Sequence, residues 1–232
     1  MRSFQEECNF IRKQLRLSTE PCDCKGNKDA GVLILLNRDR MNGGYKVFLC
    51  IRSETLRRHP GEVCFPGGMR EDDDQNLCHT AIRETEEEVG IRREDYELLG
   101  SLPSFRSRFG VDIHPSVALL RRPPVLCLNA DEVSMCFWKP LDAFLENEHH
   151  EAFLIDPTYS IHSFYFEEAV TYGVTALMCI VVAMGLAQKH PSFDLTPQIT
   201  QSASGRVTVD EAIDSLYKAA SKPQRTVPRS KL

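Results

Sequence analysis

A run of acidic residues in the middle of the chain is the feature best able to do chemistry. Residues 83–90 read Arg-Glu-Thr-Glu-Glu-Glu-Val-Gly, and the pattern around them predicts a helix over residues 76–89. On that helix Glu84, Glu87 and Glu88 are spaced i, i+3 and i+4, so their carboxylates share one face. Three oxygen ligands on one face suit a hard divalent cation such as Mg²⁺ or Mn²⁺. The alternative is a solvated acidic face, in which case the repelling charges would have no ligand.

The segment before this helix favours the metal site. A predicted strand ends at residues 65–68, Phe-Pro-Gly-Gly, whose glycines allow a ligand to approach the backbone closely. An acidic loop at residues 71–74 then leads into the helix. Strand, Gly-Gly turn, acidic loop and carboxylate helix together predict a site for a metal-bound phosphate ester.

The elements that position this site are predicted from runs of apolar residues. The predicted strands are Val32–Leu36, Tyr45–Ile51, Glu62–Phe65, Tyr96–Leu102, Ile113–Leu120 and Val133–Trp138. The predicted helices, besides the acidic one, cover Phe4–Leu17, 170–188 and Val209–Ala220. Strands mixed with helices, without a regular βαβ repeat, indicate an α+β fold with a mixed sheet covered by helices.

Two local patterns refine this arrangement. Residues 41–44, Met-Asn-Gly-Gly, have hairpin chemistry between the first two predicted strands. On the acidic helix Cys78, Ile82, Thr85 and Val89 share the face that we expect to pack against the sheet.

The composition is that of an ordinary globular protein. The chain has 232 residues, 42% hydrophobic and 26% charged, which excludes disordered and fibrous classes. The net charge of -5 argues against nucleic acid as a partner but allows a local basic patch for an anionic substrate. The strongly apolar run from Val174 to Ala187 is too short to span a bilayer, so we expect a buried helix and no membrane span.

The nine cysteines form no CxxC pair. Because the first residues also lack an apolar signal segment, we expect a reduced intracellular compartment. Cys22 and Cys24 lack a matching second pair with zinc spacing, so a metal role for them is not expected.

Residues 68–91 resemble the Nudix box, G-x5-E-x7-R-E-U-x-E-E-x-G-U, where U is apolar. The matching positions are Arg83, Glu84, Glu87, Glu88, Gly90 and Ile91. Thr85 departs from the pattern at an apolar position. The interval before Arg83 is one residue longer than usual, so either Asp74 or Gln75 faces the middle glutamate of the box.

The longer loop and an upstream motif resemble the coenzyme A diphosphatase branch of the Nudix superfamily, which carries roughly L-L-T-x-R-S-x3-R-x3-G-x3-F-P-G-G. The matching residues are Arg52, Ser53, Arg57, Gly61, Phe65, Pro66, Gly67 and Gly68. Residues 48–50, Phe-Leu-Cys, differ from its first positions. Later segments at 132–141 and 172–176 are also similar, and the resemblance covers about residues 30–188.

This resemblance implies an α/β/α sandwich with a mixed sheet between helices. It also implies a metal-dependent hydrolase that splits the pyrophosphate bond of coenzyme A. The products would be 3′,5′-ADP and 4′-phosphopantetheine, or acyl-phosphopantetheine from an acyl-coenzyme A. The implied cofactor is Mg²⁺ or Mn²⁺.

The resemblance also implies roles for individual residues. The implied metal ligands are the carboxylates of Glu84, Glu87 and Glu88 and the backbone carbonyl of Gly68. Catalytic roles fall on Glu84, as a ligand or general base, and on Glu87, while Arg83 is expected to orient the glutamates by ion pairing. Glu132 is either a fourth acid of the site or an ordinary charge at a strand edge.

The upstream motif is expected to bind the substrate through Arg52, Arg57 and Gly61. Coenzyme A carries a pyrophosphate and a 3′-phosphate, and guanidinium groups suit bidentate contacts with phosphate. The alternative is that the arginines form surface ion pairs with Glu54, Glu62 or the acidic loop.

Two other functions remain open. One is a Nudix pyrophosphatase for NADH, ADP-ribose or a dinucleoside polyphosphate; the upstream motif argues against this function. The other is a non-catalytic module that binds acyl-coenzyme A; the presence of all three glutamates argues against it.

We expect three parts in the chain. Residues 1–29 form an N-terminal extension with a short helix, residues 30–190 the Nudix hydrolase domain, and residues 191–232 a loop, a short helix and a disordered tail. The last three residues, Ser230, Lys231 and Leu232, match the SKL peroxisomal address. They predict a peroxisomal protein with the import receptor as a partner.

Overall fold

The computed structural model describes residues 2–20, 28–41, 43–107, 109–156, 159–196, 199 and 207–222. Three sequence expectations lie outside these residues: the disordered tail, the SKL address and the pair Cys22 and Cys24.

A mixed sheet of eight strands forms the centre of the molecule. Its strands are β1 (Asp29–Arg38), β2 (Tyr45–Arg52), β3 (Val63–Cys64), β4 (Gly67–Met69), β5 (Tyr96–Ser101), β6 (Phe105–Arg106), β7 (Asp112–Leu120) and β8 (Val133–Pro140). The main path is β3-β2-β1-β7-β5, with β4 paired to β1, β6 to β7 and β8 to β2. β1 and β7 are parallel, whereas β2 is antiparallel to both β1 and β8. The predicted mixed sheet is therefore confirmed.

A second sheet has three antiparallel strands, β9 (His150–Asp156), β10 (Tyr159–Tyr165) and β11 (Val170–Tyr172). The sequence did not predict this sheet. The helix expected from residue 170 was wrong at its start, because residues 170–172 pair with β10 before the helix begins.

The described residues form four α-helices, α1 (Phe4–Gln14), α2 (Leu77–Val89), α3 (Gly173–Ala187) and α4 (Val209–Ala220), and two short 3-10 helices, Arg93–Asp95 and Leu141–Leu145. Asn76 caps α2 by accepting a hydrogen bond from the His79 N–H, and Gly90 ends the helix with a φ of 74°. Among the described residues, no helix has both the length and the apolar character that crossing a membrane requires.

The helices cover both faces of the central sheet. Alternate residues of β1 point to opposite faces, so Leu33 and Leu35 pack with Ala81 and Val89 of α2. Ile34 and Leu36 pack instead in the cluster that contains α3. This arrangement is the predicted α/β/α sandwich.

The face that α2 turns to the sheet differs from the predicted one. Thr85 and Val89 are buried as expected, but Cys78 and Ile82 are only half-buried. Leu77 and Ala81 take their place, because α2 lies almost directly on β1. A Cβ at Gly31 of β1 would lie 2.1 Å from the Leu77 carbonyl oxygen.

Candidate active site

Three glutamates meet at one end of α2. Glu84 and Glu88 come from the helix, and Glu132 comes from the turn that precedes β8. One carboxylate oxygen of each lies within 4.8 Å of those of the other two. In the part of the chain that the structure describes, no other set of three or more acidic, histidine or cysteine side chains is this close. We refer to Glu84, Glu88 and Glu132 as the carboxylate group.

Backbone and side-chain contacts hold Glu132 in this position. The Ser53 N–H, just after β2, donates a 2.8 Å hydrogen bond to the Glu132 carbonyl oxygen. The Asn129 side-chain amide donates to Glu132 Oε1 at 3.1 Å. The fourth acid that the sequence left open is thus brought to the helix by the pairing of β2 with β8.

The carboxylate group lies in an environment that disfavours negative charge. Burial raises the pKa of Glu88 to about 8, and the neighbouring charges of Glu84 and Glu132 act in the same direction. A 3.0 Å hydrogen bond from the Gly67 N–H to Glu88 Oε2 opposes this shift. Burial also raises the pKa of Glu84. Clustered, poorly solvated carboxylates of this kind fit a bound divalent cation, which would offset their charge.

Gly68 lies against the carboxylate group. It belongs to β4 and pairs with Gly31 of β1. A Cβ at Gly68 would lie 2.3 Å from Glu84 Oε1, so only glycine fits here without displacing the carboxylate. The Gly-Gly segment that the sequence predicted as a turn is therefore a short strand that comes close to the site.

Arg83 is held by a buried aspartate. Asp74 is 2% exposed; its carboxylate accepts hydrogen bonds from Arg83 Nε at 3.1 Å and Nη2 at 3.0 Å. The Thr80 hydroxyl donates to it as well, at 2.9 Å. The hydrogen bonds from Arg83 hold the pKa of Asp74 well below its usual range. The sequence left open whether Asp74 or Gln75 lies opposite the middle glutamate of the Nudix box. In the structure it is Asp74 that contacts a residue of the box, Arg83.

Arg83 connects Asp74 to the glutamates of the helix. Its Nη1 lies 3.1 Å from Glu84 Oε1 and 2.9 Å from Glu87 Oε2. The Glu87 side chain is 53% exposed and turns toward Arg83, so it lies outside the carboxylate group. The structure therefore brings Glu84 and Glu88 together with Glu132, and places Glu87 on the other side of Glu84, against Arg83.

Arg52, at the end of β2, points toward the carboxylate group. Its Nη1 lies 4.0 Å from Glu88 Oε1. Its Nε is buried and donates no hydrogen bond to any of the described residues. A buried guanidinium nitrogen with spare hydrogen-bonding capacity, next to a carboxylate group, can donate to an anionic ligand.

The other two residues of the upstream motif lie in the loop after β2. Gly61 has a φ of 68° and donates its N–H to the Arg52 carbonyl oxygen at 3.1 Å. A Cβ there would lie 2.5 Å from Glu54 Oε1. Arg57 is exposed and makes no ion pair with any acidic residue that the structure describes. The alternative surface pairs with Glu54 or Glu62 are therefore not formed by Arg57.

The family model for the NUDIX domain matches residues 27–158, more than half of the chain. The chain belongs to the Nudix family. Its Nudix helix is α2, and its carboxylate group combines that helix with Glu132, which lies within the matched residues but after the Nudix box at residues 68–91.

Individual Nudix relatives are similar over most of the chain. The Peroxisomal coenzyme A diphosphatase ndx-8 of Caenorhabditis elegans is 52% identical over 237 residues, with 100% of both chains covered. The Peroxisomal coenzyme A diphosphatase NUDT7 of Mus musculus is 32% identical over 178 residues, covering 73% of this chain and 74% of the relative. Among solved structures, an Ap4A hydrolase binary complex from C. elegans covers 49% of this chain and 80% of its own, with 22% identity and a TM-score of 0.40.

Proposed function

We propose that this Nudix protein hydrolyses the pyrophosphate bond of coenzyme A and its acyl derivatives. The products are 3′,5′-ADP and 4′-phosphopantetheine or acyl-phosphopantetheine. The observation that carries the proposal is the position of Arg52, whose guanidinium faces Glu88 across 4.0 Å. This position puts the coenzyme A motif beside the carboxylate group. The full-length relative at 52% identity bears the name of a coenzyme A diphosphatase.

The proposed metal ligands are the carboxylate group and the Gly68 carbonyl. Glu87 is proposed as a further ligand, although its side chain contacts Arg83 in this structure. Mg²⁺ or Mn²⁺ bound there would neutralise the diphosphate and lower the pKa of a water molecule. Glu84 is proposed either as one of these ligands or as the proton acceptor for this water. Arg83 is a positioning residue that holds Glu84 and Glu87 from its anchor on Asp74.

The phosphates are proposed to bind to the arginines of the upstream motif. Arg52 is near enough to the carboxylate group to contact the diphosphate. Arg57 is exposed and can reach a more distant phosphate. Gly61 holds the loop that contains Arg57 against the end of β2, because its N–H donates a hydrogen bond to the Arg52 carbonyl oxygen. These residues and α2 all belong to residues 30–190, to which we assign catalysis; residues 1–29 and 191–232 flank this part.

A substrate panel tests the proposal. Coenzyme A, dephospho-coenzyme A, NADH and ADP-ribose are each incubated with the protein and Mg²⁺ or Mn²⁺, and the products are separated by liquid chromatography. We expect coenzyme A to be cleaved fastest. Arg52→Ala should lower kcat/KM about 10-fold or more, whereas Arg122→Ala, a matched change at an arginine paired with Asp95, should not. Faster cleavage of NADH or ADP-ribose than of coenzyme A would assign the protein to another branch of the family. Binding without metal and without product would favour an acyl-coenzyme A binding module.

We also propose that the protein acts in peroxisomes. Both relatives named above are called peroxisomal. Residues 230–232, Ser-Lys-Leu, are the proposed contact for the import receptor. A fluorescent tag at the amino end should locate to peroxisomes in cells, and removal of these three residues should abolish that location.

A further inference from the structure

Three cysteines form a row across neighbouring strands near the active site. Cys50 of β2 is paired in register with Cys64 of β3 on one side and with Cys136 of β8 on the other. The Cys136 thiol lies 3.3 Å from Cys50 Sγ, close enough to donate a hydrogen bond to it. None of the three has a part in the hydrolysis proposed above.

The three side chains lie on the α2 face of the sheet. Cys50 belongs to the buried cluster that contains Ala81 and Val89 of α2, and the other two cysteines pack against that cluster. Cys50 is 0% exposed, whereas Cys136 is half-buried. A small oxidant therefore reaches Cys136 more readily than Cys50.

The backbone geometry of this pair suits a disulfide. Directly opposite residues of antiparallel strands have Cα atoms about 4.5–5.5 Å apart. Disulfides form at Cα separations of about 4.4–6.8 Å. Since the two sulfur atoms already face each other, bond formation requires only a local adjustment of β2 and β8.

We propose that Cys50 and Cys136 are an oxidation site at which hydrogen peroxide forms a reversible disulfide between β2 and β8. In the first step the Cys136 thiolate attacks one peroxide oxygen, giving a sulfenic acid and hydroxide, which takes up a proton to become water. In the second step Cys50 sulfur attacks the sulfenic sulfur, and its proton leaves with the hydroxide as a second water. Two thiols lose two electrons in total, and one peroxide is reduced to two waters.

The order of these steps follows from the surroundings of the two thiols. The hydrogen bond with Cys136 and burial hold the pKa of the Cys50 thiol well above its usual range. Cys50 therefore remains a protonated thiol until its neighbour is oxidised. Its burial also protects it from direct attack, which leaves Cys136 as the first site and Cys50 as the resolving thiol.

The bond would join two strands that support the active site. Arg52 lies two residues after Cys50, and Glu132 lies four residues before Cys136. The Ser53 N–H already bonds to the Glu132 carbonyl oxygen at that end of the pair. A covalent link at Cys50 and Cys136 therefore restrains β2, which carries the proposed substrate ligand Arg52, and β8, which directly follows the proposed metal ligand Glu132.

Mass spectrometry of the oxidised full-length protein tests this site. Trypsin and a glutamate-specific protease together place Cys50, Cys64 and Cys136 on separate fragments, residues 47–52, 63–70 and 133–146. After a stoichiometric dose of hydrogen peroxide and blocking of free thiols, we expect a linked fragment of 47–52 with 133–146. A thiol reductant should remove it.

Matched variants identify the partners. Cys136→Ser should lose the linked fragment, whereas Cys64→Ser and Cys127→Ser should retain it. The melting temperature of the wild type should rise by several degrees on oxidation and return on reduction, with no change in Cys136→Ser. A fragment linking Cys50 to Cys64, or Cys136 recovered only as sulfinic acid, would overturn the proposal. Both readouts are independent of substrate, so they are unaffected if the proposed hydrolase activity fails.

Discussion

The two faces of the central sheet differ in the side chains that the covering helices bury. The face under α3 is closed by a helix whose residues from Leu177 to Gly185 are all buried and, apart from its glycine, carry apolar side chains. The face under α2 is closed by a helix that also buries Thr80, Thr85 and Glu88. Burial of the apolar side chains of α3 stabilises the fold. Burial of the Glu88 carboxylate costs free energy, because a buried carboxylate loses its hydration.

The α3 face contributes stability to the fold, whereas the α2 face carries the cost of the charged site. The α3 face joins α1, α4 and the alternate residues of the strands in one apolar cluster. The α2 face holds a carboxylate whose pKa is raised to about 8. We infer that apolar packing on the α3 side offsets the cost of the charged site on the α2 side, as is common for functional sites.

The largest expected effect is a loss of stability on the α3 face. Ile180 is 0% exposed, so Ile180→Ala leaves a cavity and should lower the free energy of unfolding by about 2–5 kcal/mol. Ile180→Val, the matched control, should cost about 0.5–1.5 kcal/mol. Urea unfolding measures both. The kcat/KM of the folded variant should stay close to that of the wild type. A large fall in kcat/KM would mean that packing on the α3 face also determines activity on the α2 face.

A smaller loss of stability is expected on the α2 face from Asp74→Asn, which removes the charge that anchors Arg83. We expect a loss of about 1–3 kcal/mol near pH 7 and a fall in kcat of about 10-fold or more. Because the pKa of Asp74 is lowered in the folded protein, its contribution is present above about pH 4 and disappears as the pH falls further. Melting temperatures of variant and wild type should therefore converge in acid; a constant gap would contradict this account.

Glu88→Gln should have the opposite effect on stability. The folded protein holds a proton on Glu88 up to about pH 8, whereas the unfolded chain releases it near pH 4. Wild-type stability without metal should therefore fall between these values as the pH rises, and the variant should not follow. In the presence of a chelator we expect the variant to be more stable at pH 8.5, on the order of 1 kcal/mol, and equal near pH 4. Added Mg²⁺ should stabilise only the wild type.

The smallest effect is expected for an exposed ion pair on the α3 side. Arg16 and Asp214 join the end of α1 to α4, with 48% and 49% of their side chains exposed. Asp214→Asn should change the free energy of unfolding by no more than about 0.5 kcal/mol. A change comparable to that of Ile180→Ala would mean that charge, rather than apolar packing, holds this face together.

The sequence predicted the parts of the fold that are buried most deeply. Long apolar runs gave clear signals for β1, β2 and β7, because these strands have helices on both faces. It did not predict β9 or β10, since Phe153, Leu154 and Tyr165 of these strands are exposed and the strands lack a strong apolar pattern. The two-residue strand β6 is too short for any period to be read.

Only the part of the site that lies on α2 could be predicted from the sequence. Spacing alone places Glu84 and Glu88 on a common face, and the structure agrees. Which of the remaining acids joins them depends on contacts distant in sequence: Glu132 is brought in by the pairing of β2 with β8. Glu87 is drawn away by Arg83, whose position depends on Asp74.

Metal-dependent cleavage of coenzyme A at the carboxylate group is tested by measuring the cleavage rate of single glutamate variants under saturating Mg²⁺. We expect the wild type to release 3′,5′-ADP, a chelator to stop the release, and Glu88→Gln to lower kcat about 100-fold or more. Glu86→Gln, a matched change at an exposed glutamate of the same helix, should retain activity. Undiminished cleavage by Glu88→Gln, or intact coenzyme A after incubation with the wild type, would contradict catalysis by a metal ion on the carboxylate group.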